Sequence, residues 1–477
     1  MVWHLFLLTV LALTPDISCQ KPVFLSPYLD RGDIKSALNA SFVEPKFFPL
    51  AEVPPSYAGY ITADEMLGNH LFFWFFPSPS NASAPLCVWL NGGPTVSSMV
   101  GLLWEHGPLE VFGEQTTHYR ARKYSWVGPF SMLYIDSPVE TGYSFTESGL
   151  AGLRVSQDGI AKDLFSFMEQ FYVMFPEYKA RELYIGGQSY AGKYVPHLAY
   201  FIHKQKRAKK TDMPLTGIYL GGPFYDPPVQ SLSYVEYLYA LGALSHAQKT
   251  ERQRAVSEVV RKYQSLELKN DSMTYIFKEI VPRWGLDSND NYVTGRPAGY
   301  SLVANFMSAR NTRAGVHVGN MKYNVVNTDI YCKFGPDLLS SAKKQMAVLM
   351  DNYKVLIYTG DYDVIVSSIM VEAALHSTPW AGQREYNTSR REVWLGQDDT
   401  LWGFYSRTGR FCRVVVKGSG HQTPHDVPHA AYDMMVQFVR HGCINTSNKL
   451  NDTLTKSVFK SARPGSWILN NIGHSSV

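Results

Sequence analysis

The stretch Glu182–Pro196 reads ELYIGGQSYAGKYVP, and it decides the fold of this chain. A short apolar run leads into Ser189, and a pattern typical of an amphipathic helix follows it. Small residues two positions before and after the serine, Gly187 and Ala191, allow a strand and a helix to meet in a tight turn. The pattern predicts that the Ser189 hydroxyl projects from the sheet as a nucleophile, with a backbone N–H nearby to face an oxyanion.

Apolar runs of strand length lie on both sides of this stretch. One helical pattern, with apolar residues recurring from Ile160 to Phe175, separates two of them. The runs lack strict alternation, which is typical of parallel strands buried on both faces, so the predicted fold class is α/β with a mostly parallel central sheet. The predicted strands, of which the first two form a hairpin, are Ser56–Ala63, His70–Ser78, Leu86–Leu90, Phe130–Asp136, Glu182–Gly187, Thr216–Gly222, Lys354–Gly360 and Arg410–Gly418.

One region interrupts this rhythm. Residues from about 224 to about 310 are charged, helical in texture and without strong strand signals. Since the region follows a predicted strand, it predicts a helical cap inserted above the strand ends where ligands bind. A separate small domain is the alternative. The tail from about Asn445 is expected to be peripheral.

Two further residue types complete a catalytic arrangement. Asp361 and Asp363 follow one predicted strand, and His421 follows another in Gly418–His421. The chain order serine, aspartate, histidine, each just after a strand, is that of α/β-hydrolases. The sequence thus predicts a hydrolase fold with a helical cap and a catalytic triad.

Composition excludes several other classes of protein. Only 18% of the 477 residues are charged and 45% are hydrophobic, which rules out wholesale disorder. The net charge is +4, and the longest basic patch is the short KQKRAKK starting at Lys204, so nucleic-acid binding has little support. No metal site or cofactor is predicted.

The N-terminus has the shape of a secretory signal. An apolar stretch from Val2 to Leu13 is followed by Pro15 and small residues, which predicts a signal peptide over residues 1–19 and a mature chain of 20–477. The apolar stretch is too short to span a bilayer, and no membrane anchor is expected. Cleavage near Cys19 leaves four cysteines that permit two disulfides in three connectivities: Cys87, Cys332, Cys412 and Cys443.

Six sequons of the form N-x-S/T point to the same compartment. In a chain behind a signal peptide they predict a glycosylated protein that is secreted or located in lysosomes or vacuoles. They start at Asn39, Asn81, Asn270, Asn387, Asn445 and Asn451.

Four motifs together resemble the serine carboxypeptidase family. They are NGGPxxSS at Asn91–Ser98, WEHGP at Trp104–Pro108, GxSYAGKYVP at Gly187–Pro196 and GHxxPxDxP at Gly420–Pro428. Other stretches, SMLYIDSPVETGYSF among them, look most like its vitellogenic-carboxypeptidase-like branch. The resemblance implies an enzyme that releases amino acids one at a time from the C-terminus of peptides, through an acyl-enzyme on Ser189.

The resemblance also implies the role of each site residue. His421 would be the general acid and base, and Asp363 the orienting carboxylate, with Asp361 as the alternative. The backbone N–H groups of Gly93 and Tyr190 would form the oxyanion hole. The substrate's C-terminal carboxylate would be bound by Asn91, Glu105 and Gln188.

Three positions depart from the family pattern. Thr95 replaces a glycine, and because a β-branched residue resists positive φ, the loop that presents Gly93 is expected to change shape. Gln188 replaces a glutamate. Gly222 replaces an asparagine, which is expected to remove one amide from the pocket wall.

The departures keep two alternatives to a working carboxypeptidase open. One is a catalytically impaired family member that acts as a binding protein. The other is a related acyltransferase or esterase. The intact serine, aspartate and histidine favour the enzyme, and Asn91 with Glu105 favours a substrate that ends in a free carboxylate over a neutral ester.

Overall fold

A single large sheet organises the molecule. The computed structural model describes residues 21–48, 53–113, 118–265, 290–295, 298–396 and 398–445. Within these ranges the strands are β1 Phe42–Val43, β2 Ser56–Asp64, β3 Asn69–Phe76, β4 Leu86–Leu90, β5 Leu109–Phe112, β6 His118–Ala121, β7 Ser131–Ile135, β8 Phe145–Thr146, β9 Leu183–Gln188, β10 Leu215–Gly221, β11 Lys354–Gly360, β12 Glu392–Leu395, β13 Leu401–Thr408 and β14 Phe411–Val416.

The strands follow the order β1-β2-β3-β7-β4-β9-β10-β11-β14-β13-β12. The six consecutive strands β7, β4, β9, β10, β11 and β14 are parallel to one another, whereas antiparallel strands extend the sheet at both ends. β8 pairs with β3, and β5 with β6 forms a separate ribbon. The eight predicted strands correspond to β2, β3, β4, β7, β9, β10, β11 and β14, so the predicted α/β fold is confirmed.

Helices cover both faces of the sheet. The predicted amphipathic helix is Gln157–Met174, and the helix after Ser189 is Ala191–Arg207. The other α-helices of the described ranges are Ser26–Asp30, Ile34–Ser41, Pro227–Ala240, His246–Gln264, Tyr300–Ser308, Arg310–Gly315, Thr328–Tyr331, Gly335–Leu338, Lys343–Asn352, Ser368–Ser377, Gln383–Thr388, Thr423–Asp426 and Pro428–His441. Shorter helical turns are Pro45–Phe47, Gly149–Gly152, Pro176–Ala180, Cys332–Phe334 and the π-helical Gly101–His106.

The strand β4 shows why the apolar runs lack alternation. Its residues Leu86, Val88 and Leu90 pack into the core on one face, and Cys87 and Trp89 pack into the core on the other. Both faces of a central strand are buried, so every position is apolar.

The predicted cap region contains helices and turns in its described part. Of its helices, Pro227–Ala240 packs Tyr234, Val235 and Leu238 into the main core. The predicted boundaries at 224 and 310 remain a prediction. The predicted signal peptide and the tail beyond Asn445 lie outside the described residues.

The four described cysteines, which permit two disulfides, form one. Cys412 in β14 bonds to Cys443, just after the helix Pro428–His441. Cys87 is buried inside the sheet and Cys332 is exposed, and both are free. None of the helices in the described ranges is long and apolar enough to cross a membrane.

Candidate active site

Ser189 lies in a tight turn between β9 and the helix Ala191–Arg207. Its backbone has φ +60, a conformation that few residues other than glycine adopt. A Cβ at Gly187 would lie 2.2 Å from the Leu90 carbonyl oxygen and 2.7 Å from the Ala191 Cβ, so only glycine fits there. The Ser189 N–H donates to the Gly221 carbonyl at 3.0 Å. The predicted strand, turn and helix therefore all form.

His421 and Asp363 are joined as a buried pair. His421 Nδ1 donates to Asp363 Oδ2 at 2.8 Å, and the other Asp363 oxygen accepts the backbone N–H groups of Ile365 and Val366 at 2.8 and 2.9 Å. Burial alone would lower the pKa of His421, but the nearby carboxyl groups, Asp363 foremost and then Asp290 and Glu105, outweigh it and the pKa is raised. The carboxylate thus fixes the orientation of the ring and favours its charged form.

Asp361, the alternative partner, has a different contact. Its Oδ1 accepts the Gly418 backbone N–H at 2.8 Å, which ties the turn after β11 to the loop that carries His421. Its carboxylate therefore belongs to the scaffold of the site.

Ser189 and His421 line one cavity of about 260 Å³. Within the described ranges there is no direct hydrogen bond between the Ser189 hydroxyl and the His421 ring. The cavity is lined by Asn91, Gly92, Gly93, Val96, Gln188, Ser189, Tyr190, Phe224, Tyr300, Tyr331, Leu338, Ile365, Val366 and His421.

The two predicted carboxylate-binding residues Glu105 and Gln188 contact each other. Gln188 Nε2 donates to Glu105 Oε1 at 2.7 Å, and Glu105 is fully buried in the π-helical segment after β4. Burial raises the pKa of Glu105 to about 8, against the opposing effects of His421 and the amides of Asn91 and Gln188. Glu105 Oε2 and Gln188 Oε1 have no hydrogen-bond partner within the described ranges.

Asn91 is held so that one end of its amide stays available. Its Oδ1 accepts from the Trp89 indole at 2.7 Å and from the Gly101 backbone N–H at 3.1 Å. The amide nitrogen carries two hydrogens: one faces Glu105, whose pKa this contact lowers, and the other can donate on the side of the cavity that Asn91 lines.

The loop Asn91–Ser98 carries the predicted oxyanion donor Gly93, which has φ +108. Thr95 adopts φ +68 although β-branched residues resist this conformation, and the expected change in the shape of the loop stays a prediction. Its buried hydroxyl donates to the Asn327 carbonyl at 3.0 Å, which offsets part of the cost of this conformation. The Tyr190 backbone N–H lies near the same loop, 2.5 Å from where a Cβ on Gly92 would be.

Gly222 lies behind the His421–Asp363 pair. A Cβ there would be 2.8 Å from Asp363 Oδ2 and 3.3 Å from His421 Nδ1. The residue itself is not part of the described lining of the cavity, and the loss of an amide from the pocket wall stays a prediction.

Sequence reasoning missed a third buried carboxyl group near the site. The Asp290 carbonyl accepts the backbone N–H of His421, and burial raises the pKa of Asp290 to about 7 while His421 lowers it. Asp290 lies more than 100 residues from His421, within the predicted cap region, and no motif in the sequence marks it.

The described residues of the predicted cap supply Phe224 and Tyr300 to the cavity, while Tyr331 and Leu338, which also line it, lie beyond the predicted boundary at 310. The described ranges contain no group of three or more His, Cys, Asp or Glu side chains arranged to hold a metal ion.

Four of the six predicted glycosylation sites lie in described residues, and all four are exposed: Asn39, Asn81, Asn387 and Asn445. Asn270 and Asn451 lie outside the described ranges.

Comparisons with known proteins agree with these features. A family model described as serine carboxypeptidase matches residues 45–441. The probable serine carboxypeptidase CPVL of Mus musculus is 37% identical over 88% of this chain and 89% of its own length. The vitellogenic carboxypeptidase of Aedes aegypti is 32% identical over 88% of this chain and 90% of its own. The crystal structure of Kex1(delta)p, a prohormone-processing carboxypeptidase from Saccharomyces cerevisiae, superposes with a TM-score of 0.73 at 20% identity, over 86% of this chain and 98% of that one.

Proposed function

This chain belongs to the serine carboxypeptidase family and is a serine-type carboxypeptidase with peptide substrates, and we propose that Ser189, His421 and Asp363 carry out its reaction. The observation that supports the proposal most is that Ser189, His421 and Gln188 line one cavity, while the buried Asp363 is hydrogen-bonded to His421 and the buried Glu105 to Gln188. The first two are a nucleophile and an oriented base. The third suits a substrate that ends in a carboxylate.

The reaction is an acyl transfer in two steps. Ser189 Oγ attacks the carbonyl carbon of the last peptide bond while His421 Nε2 takes the hydroxyl proton. The oxygen that becomes negative accepts hydrogen bonds from the N–H groups of Gly93 and Tyr190. His421 then protonates the departing amino group, and the C–N bond breaks. A water molecule, deprotonated by His421, hydrolyses the acyl-enzyme and restores Ser189.

Recognition of the free C-terminus falls to Asn91, Glu105 and Gln188. At pH values below about 8 Glu105 is mainly protonated, so its O–H is a donor and brings no negative charge next to the substrate carboxylate. Asn91 and Gln188 can donate N–H bonds at any pH. Such a pocket favours a carboxylate over the neutral end of an ester.

The proposal is tested by incubating the secreted protein with a library of peptides and identifying the products by mass spectrometry. We expect loss of single residues from C-termini and no cleavage of the same peptides with amidated C-termini. Ser189→Ala and His421→Ala are each expected to abolish release while the proteins remain folded and secreted. Near-normal turnover by either variant would refute these assignments.

A fluorophosphonate probe separates the alternatives. Covalent labelling that is lost in Ser189→Ala is expected of a carboxypeptidase and of a related esterase or acyltransferase, whereas a noncatalytic binding protein would remain unlabelled. Between the enzymes, a preference for peptides over the matching neutral esters supports the carboxypeptidase assignment.

The finer aspects of location and specificity are part of the same proposal. A cleaved signal peptide over residues 1–19 and glycans at the sequons would place the enzyme in a secreted or lysosomal compartment. N-terminal sequencing and a glycosidase mobility shift test this. The cap region, which supplies Tyr300 to the cavity, is proposed to set the preferred terminal residue. Exchange of this region without any change in preference would contradict it.

A further inference from the structure

Asp136 is a buried carboxyl group to which the proposed reaction gives no role. It follows β7 directly, in the stretch SMLYIDSPVETGYSF, and its side chain is 0% exposed. It is not among the residues that line the cavity, so any effect on the reaction must pass through other residues.

Both oxygens of Asp136 accept hydrogen bonds from neighbouring loops. Oδ1 accepts the Ser97 hydroxyl at 2.6 Å and the Ser98 backbone N–H at 3.0 Å. Oδ2 accepts the Tyr143 backbone N–H at 3.0 Å. Within the described ranges no basic side chain pairs with the carboxyl group. Its polar contacts are therefore these hydrogen bonds from the two loops.

Ser97 and Ser98 also connect Asp136 to the start of the loop Asn91–Ser98. The Ser98 hydroxyl donates to the Ile135 carbonyl at 2.5 Å and accepts the Asn91 backbone N–H at 3.1 Å. The Ser97 hydroxyl also accepts from the Tyr323 hydroxyl at 2.7 Å. The loop Asn91–Ser98 is therefore fastened at both ends to one point beside Asp136, and Gly93 lies between the fastened ends.

We propose that Asp136 is the positioning residue of the oxyanion hole, holding the loop Asn91–Ser98 so that the Gly93 N–H faces the reacting carbonyl oxygen. The inference rests on the proposed role of Gly93 as an oxyanion donor. Correct placement of such a donor matters because its hydrogen bond must fit the oxygen of the tetrahedral intermediate better than that of the bound substrate.

The chemistry of the site favours this role over packing alone. Burial raises the pKa of Asp136 to about 7 in spite of the hydrogen bonds from Ser97, Tyr143 and Ser98, so the carboxyl group is held there at a cost. An apolar side chain would fill the space without that cost. A carboxyl side chain, however, can accept all three converging hydrogen bonds, which an apolar side chain cannot.

The test is the variant Asp136→Asn, assayed for turnover and for two kinds of ligand. An amide places an NH₂ group where one carboxylate oxygen accepted an N–H or O–H, so one contact is lost and the loop shifts. We expect kcat to fall by about tenfold to a hundredfold, less than the loss seen when an oxyanion donor is removed entirely, while KM changes by less than about threefold. A peptide phosphonate that mimics the tetrahedral intermediate should weaken by the same factor as kcat/KM. The product peptide should bind as before.

Two further variants separate positioning from general destabilisation. Ser97→Ala removes one donor but leaves Asp136, and a smaller loss of kcat in the same direction is expected; it also carries the test if Asp136→Asn does not fold. Asp163→Asn alters a buried aspartate that accepts from Asn69 and Arg154, each at 3.0 Å, and should lower the melting temperature without changing kcat.

The proposal is overturned if Asp136→Asn keeps normal kcat and phosphonate affinity, or if phosphonate and product weaken equally. Failure of the proposed catalytic serine would look different. In that case Ser189→Ala would retain turnover, whatever Asp136→Asn does.

Discussion

The two sides of the cavity differ in how completely their polar groups are paired. On the side of β11 and β14, one Asp363 oxygen accepts from His421 and the other from two backbone N–H groups. On the side of β4, Glu105 and Gln188 contact each other, yet each keeps one oxygen without a partner among the described residues. The first side is complete without substrate. The second has atoms in reserve for a substrate carboxylate: the second N–H of the Gln188 amide and the O–H of Glu105 when it is protonated.

The carboxyl groups on the two sides also differ in charge. Three donors surround Asp363, which suits a carboxylate that must orient an imidazole and stabilise its charged form. Burial raises the pKa of Glu105 to about 8, which suits a neutral acid that must accept the approach of an anion. Two similar residue types therefore perform opposite tasks because their hydrogen-bond partners differ.

The largest expected effect on kcat comes from altering Asp363, on the side of the cavity where the polar groups are already paired. Asp363→Asn keeps the shape of the side chain but no longer holds the ring in the tautomer that can accept the serine proton, so kcat should fall by about 10⁴-fold. KM should change little, because the carboxylate-binding side is untouched. Steady-state kinetics on one peptide substrate measures both constants.

Asp361→Asn is the matched control. Asp361 precedes Asp363 by two residues, but its carboxylate accepts backbone N–H groups, among them those of Gly418 and Ser419, and within the described ranges it has no hydrogen bond to the His421 ring. Its loss of kcat should therefore be far smaller. An equal or larger loss in Asp361→Asn would show that the sheet edge as a whole, rather than the Asp363 contact, sets the rate.

These two aspartates also show where prediction from sequence ends. The strand, turn and helix around Ser189 were predictable because apolar runs, small residues and turn signals are local. The choice between Asp361 and Asp363 rested on the family resemblance, since both follow the same strand. Only the fold, which brings β11 beside β14, shows which one contacts His421.

The sequence analysis missed other features for the same reason. β13 lies in the antiparallel part of the sheet, between β14 and β12, and only half of its residues are buried. Its polar positions are typical of a loop, so the sequence did not predict a strand there. Asp136 and Asp290 act on residues that are distant in sequence, and a buried polar contact between distant residues has no local signature. The free Cys87 was unpredictable because its burial inside the sheet, away from the other cysteines, depends on strand order.

The next largest effect concerns the pH dependence of kcat/KM and the side of the cavity that contains Glu105 and Gln188. Gln188→Glu places a second carboxyl group against Glu105, and together with the substrate carboxylate three acidic groups then share one pocket. Binding needs an extra proton, so the alkaline limb of kcat/KM should move by about one pH unit or more toward acid. His421 must be neutral to act as a base, so the acidic limb follows its pKa and should stay in place.

Glu105→Gln sharpens the same comparison in the opposite direction. In the natural chain the raised pKa means that Glu105 is neutral below about pH 8 and charged above it, so substrate binding is lost as pH rises through that value. With an amide at position 105 this loss should disappear and the alkaline limb should flatten. Profiles that coincide for all three proteins would show that neither residue contacts the substrate carboxylate.

The smallest effect is expected at Thr95 and concerns stability. Thr95 belongs to the same side of the cavity as Glu105 and Gln188, and its backbone is strained. A non-glycine residue at φ +68 costs about 1 to 2 kcal/mol, and the Thr95 hydroxyl returns about 1 kcal/mol through its bond to the Asn327 carbonyl. Thr95→Gly removes the strain but also the hydrogen bond, a buried methyl group and the stiffness of the unfolded chain. The net loss of stability should be about 1 kcal/mol.

Thr95→Ala isolates the strain, because it loses the same hydrogen bond and methyl group yet keeps a Cβ at positive φ. The free energy of unfolding, measured with denaturant, should therefore rank the natural chain first, Thr95→Gly second and Thr95→Ala third, with the two variants separated by less than about 1 kcal/mol. If Thr95→Ala proves more stable than Thr95→Gly, the strain is smaller than the entropy that glycine adds to the unfolded chain. The loop Asn91–Ser98 would then hold Thr95 at a cost of less than about 1 kcal/mol, which the contacts of Ser97 and Ser98 could offset.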